Sequence, residues 1–356
     1  MDATSEDKPP VDQLRREQLL ELHHFLRLNR ALEERLSLLY RQKRLVSNVY
    51  RSLGQEACSV GSAYALGRGD VFAPMMRNLG AVLVRGARPV ELFAQYLGRD
   101  GPTHGRDSGA HFGWISEEGS MLPPVSMLGD MIPILVGAVL AGRLRGRQTV
   151  ALNWIGDGGA STGAFHEGFN LACVLKASLV LIVENNRFAF STPTERQTAN
   201  PRFVDRARAY GCHGESVDGT DVLAVYEATR QAIVRARAGQ GPTLIEAEML
   251  RRASHAEHDD ARYVPAELRQ EWERKDPVER FERHLVREGI ASEDELLLAA
   301  RRVEQLVEDG LRQAEGLPQP LPESSLTGVW ADRNAAPPTP PIVLEQERRG
   351  NPPWRA

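Results

Sequence analysis

Two short polar clusters carry residue types that could do chemistry together. Gly156-Asp157-Gly158-Gly159 follows the apolar run TVALNWI, and Asn185-Asn186 follows the β-branched run SLVLIVE. The segment between them, GAFHEGFNLACVLK, has helical character, so the predicted order is strand, turn, helix, strand. A parallel sheet binds its ligands beyond the carboxyl ends of its strands, so we expect both clusters to meet there.

A helix that starts just after the glycines would favour a phosphate, because its backbone N–H groups and dipole attract anions. The glycines would also let a ligand approach the backbone closely. Asp157 changes the argument, since a carboxylate beside a phosphate is repulsive unless a divalent cation lies between them. Asp157, the amide oxygen of Asn186 and a backbone carbonyl near Phe188 are oxygen ligands of the kind that Mg²⁺ prefers.

Two other interpretations of these clusters are open. A dinucleotide-binding turn needs GxGxxG, but the chain has Gly156, Gly158 and then Ser161, although Glu184 stands where a ribose-binding acid could. Alternatively, both clusters are ordinary turns, since Gly, Asp and Asn dominate turns for conformational reasons. The pairing of the two clusters across one βαβ unit favours a site for phosphate and metal.

The rest of the chain predicts the elements that must position these clusters. Residues 14–40 read as a long amphipathic helix, a second helix begins near Gly54, and the glycine-rich stretch from Asp100 to Gly119 reads as a loop. Beyond the second strand, CHGESVDG, DVLAVYEATRQAIVRARA and PTLIEAEML continue the sheet, and residues 265–315 are helical in pattern. The predicted fold class is α/β, a doubly wound, mostly parallel sheet with helical N- and C-terminal extensions.

Composition argues against several classes of protein. The formal net charge is -4, and the 44 Lys and Arg residues are spread along the chain, so no nucleic-acid partner is expected. Cys58, Cys173 and Cys212 lack CxxC spacing and predict neither a disulfide framework nor a zinc site. The polar N-terminus and the lack of a long apolar run predict a cytoplasmic location without a membrane partner.

Several segments together resemble a known family. GDG followed by NN at this spacing is the thiamine diphosphate motif, and the stretch from Gly156 to Gln197 resembles the alpha subunits of pyruvate and branched-chain 2-oxo acid dehydrogenases. The resemblance covers residues 15–315, and further family counterparts occur in the same order: GQEA, GDVFAPMMRNLGAVLVRG, GRDSGAHFG, SMLGDMIP and EWERKDPVERF.

The resemblance implies thiamine diphosphate and Mg²⁺ as cofactors. It implies the thiamine diphosphate-binding fold in residues 13–315. Composition, rather than the resemblance, predicts a disordered leader at 1–12 and a proline-rich extended tail at 316–356. Asp157 and Asn186 would ligate Mg²⁺ by their side chains and Phe188 by its carbonyl, while Gly158 and Gly159 would offer backbone N–H groups to the diphosphate.

The resemblance also implies roles for five residues elsewhere in the chain. Arg77 and Arg251 would grip the diphosphate, Ser126 and Leu128 would contact the rings of the cofactor, and His255 would be the catalytic histidine on a loop. On pattern alone the arginines could be solvated surface charges, Ser126 and Leu128 core residues, and His255 a solvent-facing loop residue. His111 is a weaker candidate, since a loop histidine can simply bond backbone groups, and His258 lies near His255.

The activity implied is oxidative decarboxylation of a 2-oxo acid, with transfer of the acyl group to the lipoyl group of an acyltransferase. The partners implied are a beta subunit, in an α₂β₂ heterotetramer, and that acyltransferase. The sequence leaves the substrate open between pyruvate and a branched-chain 2-oxo acid such as 3-methyl-2-oxobutanoate. Alternatives are an acetoin dehydrogenase alpha subunit and a noncatalytic scaffold subunit; sugar-phosphate transfer would need further phosphate-binding residues that we do not find.

Two positions depart from the family pattern. Met76 stands where relatives have a tyrosine before the arginine equivalent to Arg77, which predicts the loss of one hydroxyl contact to the diphosphate. Ala256 stands where animal relatives carry a phosphorylated serine after the histidine equivalent to His255. Control by that modification is therefore not expected here.

Overall fold

The central element is a parallel sheet, seen in a computed structural model that describes residues 7–326. The strands are β1 (Val71–Ala73), β2 (Ser120–Met121), β3 (Ala151–Gly156), β4 (Leu179–Asn185), β5 (Phe188–Ala189), β6 (Thr192–Pro193), β7 (His213–Asp218) and β8 (Thr243–Glu248). Six of them form the sheet in the order β2-β1-β3-β4-β8-β7, with every neighbouring pair parallel. The short strands β5 and β6 pair separately and antiparallel.

Helices surround this sheet and extend the chain at both ends. They are α1 (Arg16–Arg41), α2 (Glu56–Ala65), α3 (Leu79–Val84), α4 (Pro89–Tyr96), α5 (Met131–Leu144), α6 (Gly163–Val174), α7 (Asp205–Tyr210), α8 (Val222–Arg237), α9 (Ala266–Glu273), α10 (Pro277–Arg287) and α11 (Glu293–Glu315). Short 3-10 helices occur at Val11–Gln13, Gly159–Ser161, Thr194–Arg196 and Pro322–Leu326. The α/β class is confirmed.

Side-chain alternation along the strands builds two apolar cores. On β4, Val180 and Ile182 face one core, which α1, α2 and α8 cover, whereas Leu181 and Val183 face the second, which α5 and α6 cover. Successive side chains of a strand point to opposite faces, and a sheet buried on both faces therefore needs apolar residues at every position. This explains the continuous apolar runs of β3 and β4, and it confirms the predicted doubly wound arrangement.

The elements predicted from long, regular patterns are present. The helix predicted over residues 14–40 is α1, the helix predicted near Gly54 is α2, and the glycine-rich stretch from Asp100 to Gly119 contains no helix or named strand. The two shortest strands of the sheet, β1 and β2, were not predicted. Runs of three and two residues are too short to show a period, so only their pairing in the sheet reveals them.

The predicted leader and tail lie largely outside the described residues, which leave out 1–6 and 327–356. Within the predicted leader, the Tyr226 hydroxyl donates to the carbonyl of Pro9 (2.6 Å), and the Val11 N–H donates to Glu227 (3.0 Å). Residues 7–12 are therefore held against α8, and the prediction of a disordered leader remains only for residues 1–6. None of the helices in residues 7–326 is long and apolar enough to cross a membrane.

Candidate cofactor-binding site

The predicted site residues follow the carboxyl ends of five parallel strands. Arg77 comes after β1, Ser126 and Leu128 after β2, Asp157 after β3, Asn186 after β4, and Arg251 and His255 after β8. The chain runs from β1 outward to β2 and then returns to β3 on the other side of β1. The strand order thus reverses between β1 and β3, which is where open α/β sheets form their ligand crevice.

Asp157 is buried at the end of β3. Its Oδ2 accepts hydrogen bonds from the amide of Gln197 (2.8 Å) and the hydroxyl of Thr194 (3.2 Å). Burial raises the pKa of this carboxyl, and the hydrogen bonds act against that rise. The Thr194 hydroxyl also lies 3.3 Å from Oδ1 of Asn185, so one threonine links the ends of β3 and β4.

Asn186 and Phe188 follow the end of β4, the strand next to β3. The Asn186 amide donates to Oε1 of Gln55 (2.9 Å), and its own oxygen lies 3.4 Å from the backbone N–H of Phe188. The Phe188 carbonyl accepts a hydrogen bond from Arg251 (2.8 Å). Three oxygen donors predicted as metal ligands are therefore carried by two adjacent strand ends, each already held in place by a neighbour.

Gly158 and Gly159 form a turn with no room for side chains. A Cβ on Gly158 would lie 2.5 Å from the Cβ of Ala189, and one on Gly159 would lie 2.8 Å from Cγ1 of Ile155. The same Gly159 position is 3.4 Å from Cβ of Leu128. The glycine turn is therefore packed between β3, the β5 segment and the loop after β2, with its helix, α6, starting four residues on at Gly163.

Arg77 and His255 contact each other across the crevice. Nη2 of Arg77 lies 3.2 Å from Nδ1 of His255 and 2.5 Å from its backbone carbonyl oxygen. Burial and the charge of Arg251 lower the pKa of Arg77 to about 10. Burial and the two arginine charges likewise lower the pKa of His255 to about 4, so the ring is neutral at neutral pH.

Arg251 is almost fully buried and holds the segment that contains β5. Its guanidinium donates to the carbonyls of Phe188 (2.8 Å) and Phe190 (2.7 Å) and to the Tyr263 hydroxyl (2.9 Å). None of these acceptors is a carboxylate. Pattern alone allowed a solvated surface role for this arginine. That role is excluded, because Arg251 is only 2% exposed.

A phosphate-bearing ligand fits these arginines. The Nε atoms of Arg77 and Arg251 and the Nε2 atom of Gln55 are buried without hydrogen-bond partners in the described part of the chain. Buried donors without acceptors are costly, and charged ones more so. Two guanidinium groups whose charges repel each other, beside a glycine turn that a Cβ would fill, are therefore suited to an anion with several oxygens.

A metal bridging that anion fits the oxygen donors, but it would not be a protein cage. Within residues 7–326, no three His, Cys, Asp or Glu residues are grouped so that they could hold a metal ion. Asp157 supplies the carboxylate, with amide and carbonyl oxygens beside it. Mg²⁺ is bound in this manner in proteins, through one or two carboxylates together with substrate phosphates and water.

Several residues around the site were not singled out from the sequence. Gln55, Thr194 and Gln197 contact the metal-side residues, and Tyr50 and Phe190 flank His255 with ring centroids 5.8 and 4.4 Å away. Gln55 stands in the GQEA segment and Thr194 in the stretch from Gly156 to Gln197, so both lie in segments that resemble the family. Tyr50 lies in none of these segments, and only the fold brings its ring close to Arg77.

Some predicted candidates lie apart from these contacts. His111 bonds the carbonyl of Ser108 (3.0 Å) within its own loop, which matches the alternative that it only supports the backbone. Ser126 is exposed, and Leu128 is 37% exposed beside the glycine turn. His258 follows His255 by three residues, and a positive charge on it would lower the pKa of His255 further.

The fold is that of an α/β protein with a parallel sheet, and the crevice at the switch point of this sheet is suited to a phosphorylated ligand. Comparison with known proteins narrows this class. The family model described as dehydrogenase E1 component matches residues 25–323. The chain therefore belongs to the dehydrogenase E1 component family, as the resemblance predicted.

Curated relatives cover nearly the whole chain. It is 35% identical to the alpha subunit of acetoin:2,6-dichlorophenolindophenol oxidoreductase from Cupriavidus necator, over 90% of this chain and 96% of that protein. It is 33% identical to the 2-oxoisovalerate dehydrogenase subunit alpha of Bacillus subtilis, over 88% of this chain and 96% of that protein. It is 34% identical to the pyruvate dehydrogenase E1 component subunit alpha of Staphylococcus aureus, over 90% of this chain and 85% of that protein.

Within the family, the chain is an alpha subunit of the thiamine diphosphate-dependent 2-oxo acid dehydrogenases, which are oxidoreductases that decarboxylate their substrates. An alpha subunit implies a beta subunit and, in the complete complex, an acyltransferase. The prediction of an enzyme of this family is confirmed.

Proposed function

We propose that this chain anchors thiamine diphosphate through Mg²⁺ in an α₂β₂ enzyme that oxidatively decarboxylates pyruvate or a branched-chain 2-oxo acid such as 3-methyl-2-oxobutanoate. The acyl group would pass to the lipoyl group of the acyltransferase. The convergence of Arg77, Asp157, Asn186, Arg251 and His255 at the switch point carries this proposal. A cytoplasmic location stays a prediction.

The diphosphate would be held by the two arginines and the glycine turn. Arg77 and Arg251 each have a buried Nε without an acceptor, so they can donate to phosphate oxygens without first losing a carboxylate partner. Gly158 and Gly159 would add backbone N–H groups close to the start of α6. Leu128, next to Gly159, and Ser126 would lie against the rings of the cofactor.

Mg²⁺ would be ligated by Asp157, by the amide oxygen of Asn186 and by the carbonyl oxygen of Phe188. That carbonyl accepts a hydrogen bond from Arg251, but a carbonyl oxygen has a second lone pair. Thr194 and Gln197 would position the Asp157 carboxylate, since both donate to Oδ2. Gln55 would do the same for the Asn186 amide.

When bound, thiamine diphosphate supplies a carbon nucleophile for the 2-oxo carbon and accepts the electron pair left by departing CO₂. His255 would hold and move protons beside it. Arg77 can only donate, so Nδ1 of His255 must accept, and the neutral ring carries its proton on Nε2. His255 therefore offers an Nε2–H donor, and Phe190 and Tyr50 bound the space around its ring.

A face for the beta subunit is available on α5 and α6, which pack against each other. Ile134 on α5 is 50% exposed, and Leu171 and Val174 on α6 are 42% and 71% exposed. Apolar side chains grouped on neighbouring helices are typical of an interface. α6 also begins next to the glycine turn, so a subunit bound on this face would lie close to the cofactor.

The first test is a calorimetric titration of thiamine diphosphate into this chain copurified with its beta subunit, with Mg²⁺ and then with a chelator. We expect magnesium-dependent binding in the wild type and none in Asp157→Ala. Asp294→Asn, an exposed acid in the first turn of α11, is the matched control and should bind as the wild type does. Failure of a folded complex to bind would contradict the proposal and favour the noncatalytic scaffold.

Acetoin cleavage is the second candidate, because the relative from Cupriavidus necator is an acetoin oxidoreductase alpha subunit with 35% identity. The loaded complex should be supplied in parallel with pyruvate, 3-methyl-2-oxobutanoate and acetoin, and the reduction of an artificial electron acceptor followed. Release of CO₂ accompanies turnover of the 2-oxo acids alone. Turnover of acetoin without CO₂, and none of the 2-oxo acids, would replace the first candidate with the second.

A further inference from the structure

Two of the three cysteines meet on the face of the sheet that α6 covers, away from the site described above. Cys173 lies in the last turn of α6, and Cys212 lies between α7 and β7. Both are free and partly buried, and each thiol alters the acidity of the other. Both also pack against the same apolar core. They are 39 positions apart in the sequence, which is why no spacing motif marks them.

The packing of α7 on α6 produces this pairing. The ring of Tyr210 packs edge-on against Phe169 at 5.4 Å, and its hydroxyl bonds to His166. Cys173 lies one helical turn beyond Phe169 on the same face of α6. Cys212 follows Tyr210 by two residues, and its thiol lies 3.6 Å from the carbonyl oxygen of Ala207. The same aromatic contact therefore brings together the helical turn before Cys173 and the segment before Cys212.

The two thiols have different acidities. The hydrogen bond from Cys173 lowers the pKa of the Cys212 thiol, whereas the pKa of Cys173 is raised by the same bond and by burial. Cys212 is therefore the better nucleophile at neutral pH. Cys58 differs from both, since it is fully buried and burial beside Glu184 raises the pKa of its thiol.

We propose that Cys173 and Cys212 are a modification site, at which peroxide converts the thiol pair into a reversible internal disulfide. The Cys212 thiolate attacks one oxygen of hydrogen peroxide, breaking the O–O bond, and yields a sulfenic acid and water once a proton is taken up. The Cys173 sulfur then attacks the sulfenic sulfur, its proton leaves, and a second water departs. Two thiols are oxidised, and one peroxide is reduced to two waters.

The disulfide would close a loop that contains residues 174–211. This loop includes β4, the Asn185-Asn186 turn, Phe188 and Thr194, so the cross-link would restrict the segment that carries most of the proposed metal ligands. A disulfide stabilises mainly by restricting the unfolded chain. The oxidised protein should therefore resist urea better than the reduced one, whether or not the proposed cofactor chemistry holds.

The test is hydrogen peroxide treatment of the copurified complex, followed by denaturation, alkylation with N-ethylmaleimide and mass spectrometry without reductant. We expect the chain to lose two hydrogens and to take up one alkyl group, on Cys58, with the Cys173 and Cys212 peptides joined. Dithiothreitol should restore three alkylated cysteines. Oxidised wild type should unfold at higher urea concentration than reduced wild type.

Cys173→Ser and Cys212→Ser are matched variants of each other, and neither should form the cross-link or show the shift in urea midpoint. Each variant replaces one partly buried thiol by a hydroxyl of similar size. If one variant does not fold, the other still serves as the control. Oxygen addition to separate cysteines without a cross-link would overturn the proposal. So would a disulfide to Cys58 or to a second chain.

Discussion

Arginines that are buried or partly buried have different partners in two regions of this molecule. Between α1, α2 and α10, Arg30 lies between the carboxylates of Glu56 (2.5 Å) and Asp276 (3.0 Å), which raise its pKa above the usual range. At the carboxyl edge of the sheet, Arg77 has a lowered pKa, and Arg251 bonds only neutral acceptors.

The difference separates charges that stabilise the fold from charges that await a ligand. A buried ion whose partners belong to the chain is satisfied in the folded state, and removing one partner leaves the other uncompensated. A buried cation without a carboxylate partner reduces stability until an anion binds. The two regions should therefore respond in opposite ways to the same substitution.

The largest expected effect is at the paired region. Arg30→Met should lower the free energy of unfolding by about 3–5 kcal/mol, because it leaves the fully buried carboxylate of Glu56 without a charged partner. Arg35→Met removes a more exposed ion pair with Glu308 and should cost less than about 1 kcal/mol. Urea unfolding of both variants measures the two losses of stability. Equal losses would show that the ion pairs of Arg30 stabilise the fold no more than the exposed pair of Arg35 does.

Glu33 tests the same region through pH. Burial and the charge of Glu56 raise its pKa to about 8, so the folded state keeps a proton that the unfolded state loses above its ordinary pKa of 4.5. Its stabilising contribution is therefore full below pH 4.5 and is lost as pH rises through 8.

Glu33→Gln should remove this dependence, so the variant gains stability relative to wild type between pH 5 and 9, by on the order of a few kcal/mol. Urea midpoints measured across that range are the readout. The exposed neighbour Glu34→Gln should follow the wild type at every pH. A constant difference between Glu33→Gln and wild type would show that the carboxyl is ionised throughout.

Arg77 should behave as the unpaired case. Arg77→Met should leave the cofactor-free stability unchanged or higher, but weaken thiamine diphosphate binding by about 1.5–3 kcal/mol, or ~10- to 150-fold. Arg187→Met is the control, since Arg187 lies next to Asn186 but pairs with Glu248 at 2.9 Å. If Arg77→Met lowers stability but not the affinity for thiamine diphosphate, Arg77 stabilises the fold, as Arg30 does, and does not bind the cofactor.

The smallest effect is a titration. In the cofactor-free complex, the ring of His255 should titrate near pH 4 rather than 6.5, because Arg77 and Arg251 disfavour its cation. Adding thiamine diphosphate should raise the pKa of His255, since the anion offsets both arginine charges. Proton-detected histidine NMR follows this, with Arg77→Met predicted to raise the pKa without cofactor. If neither the cofactor nor Arg77→Met changes the pKa of His255, the ring does not lie close to the arginines of the crevice.

The departure at Met76 acquires a different meaning once the fold is known. The sequence predicts a missing tyrosine beside Arg77, but the guanidinium of Arg77 lies 5.7 Å from the centre of the Tyr50 ring. A tyrosine is therefore present at this arginine, supplied by the segment before α2. No pattern around Arg77 could have indicated this, because the two residues are brought together only by packing.

Sequence by itself determined the βαβ unit, the long helices and the family of this protein. Continuous apolar runs select buried strands, and helical spacing selects amphipathic helices, because both preferences act within a few residues. The ordered motifs also marked the main candidates for the cofactor site, since each follows a strand or opens a helix. Short strands such as β1 and β2 could not be predicted, because two or three residues are too few to show a repeating hydrophobic pattern.

Only the tertiary structure decided which polar groups meet. Gln55 reaches Asn186 across 131 positions, Arg77 reaches His255 across 178, and Cys173 reaches Cys212 across 39. Whether a buried arginine is paired or free depends in the same way on strand order and helix packing. Local sequence preferences cannot specify such contacts, because their energies arise only when distant segments exclude water together.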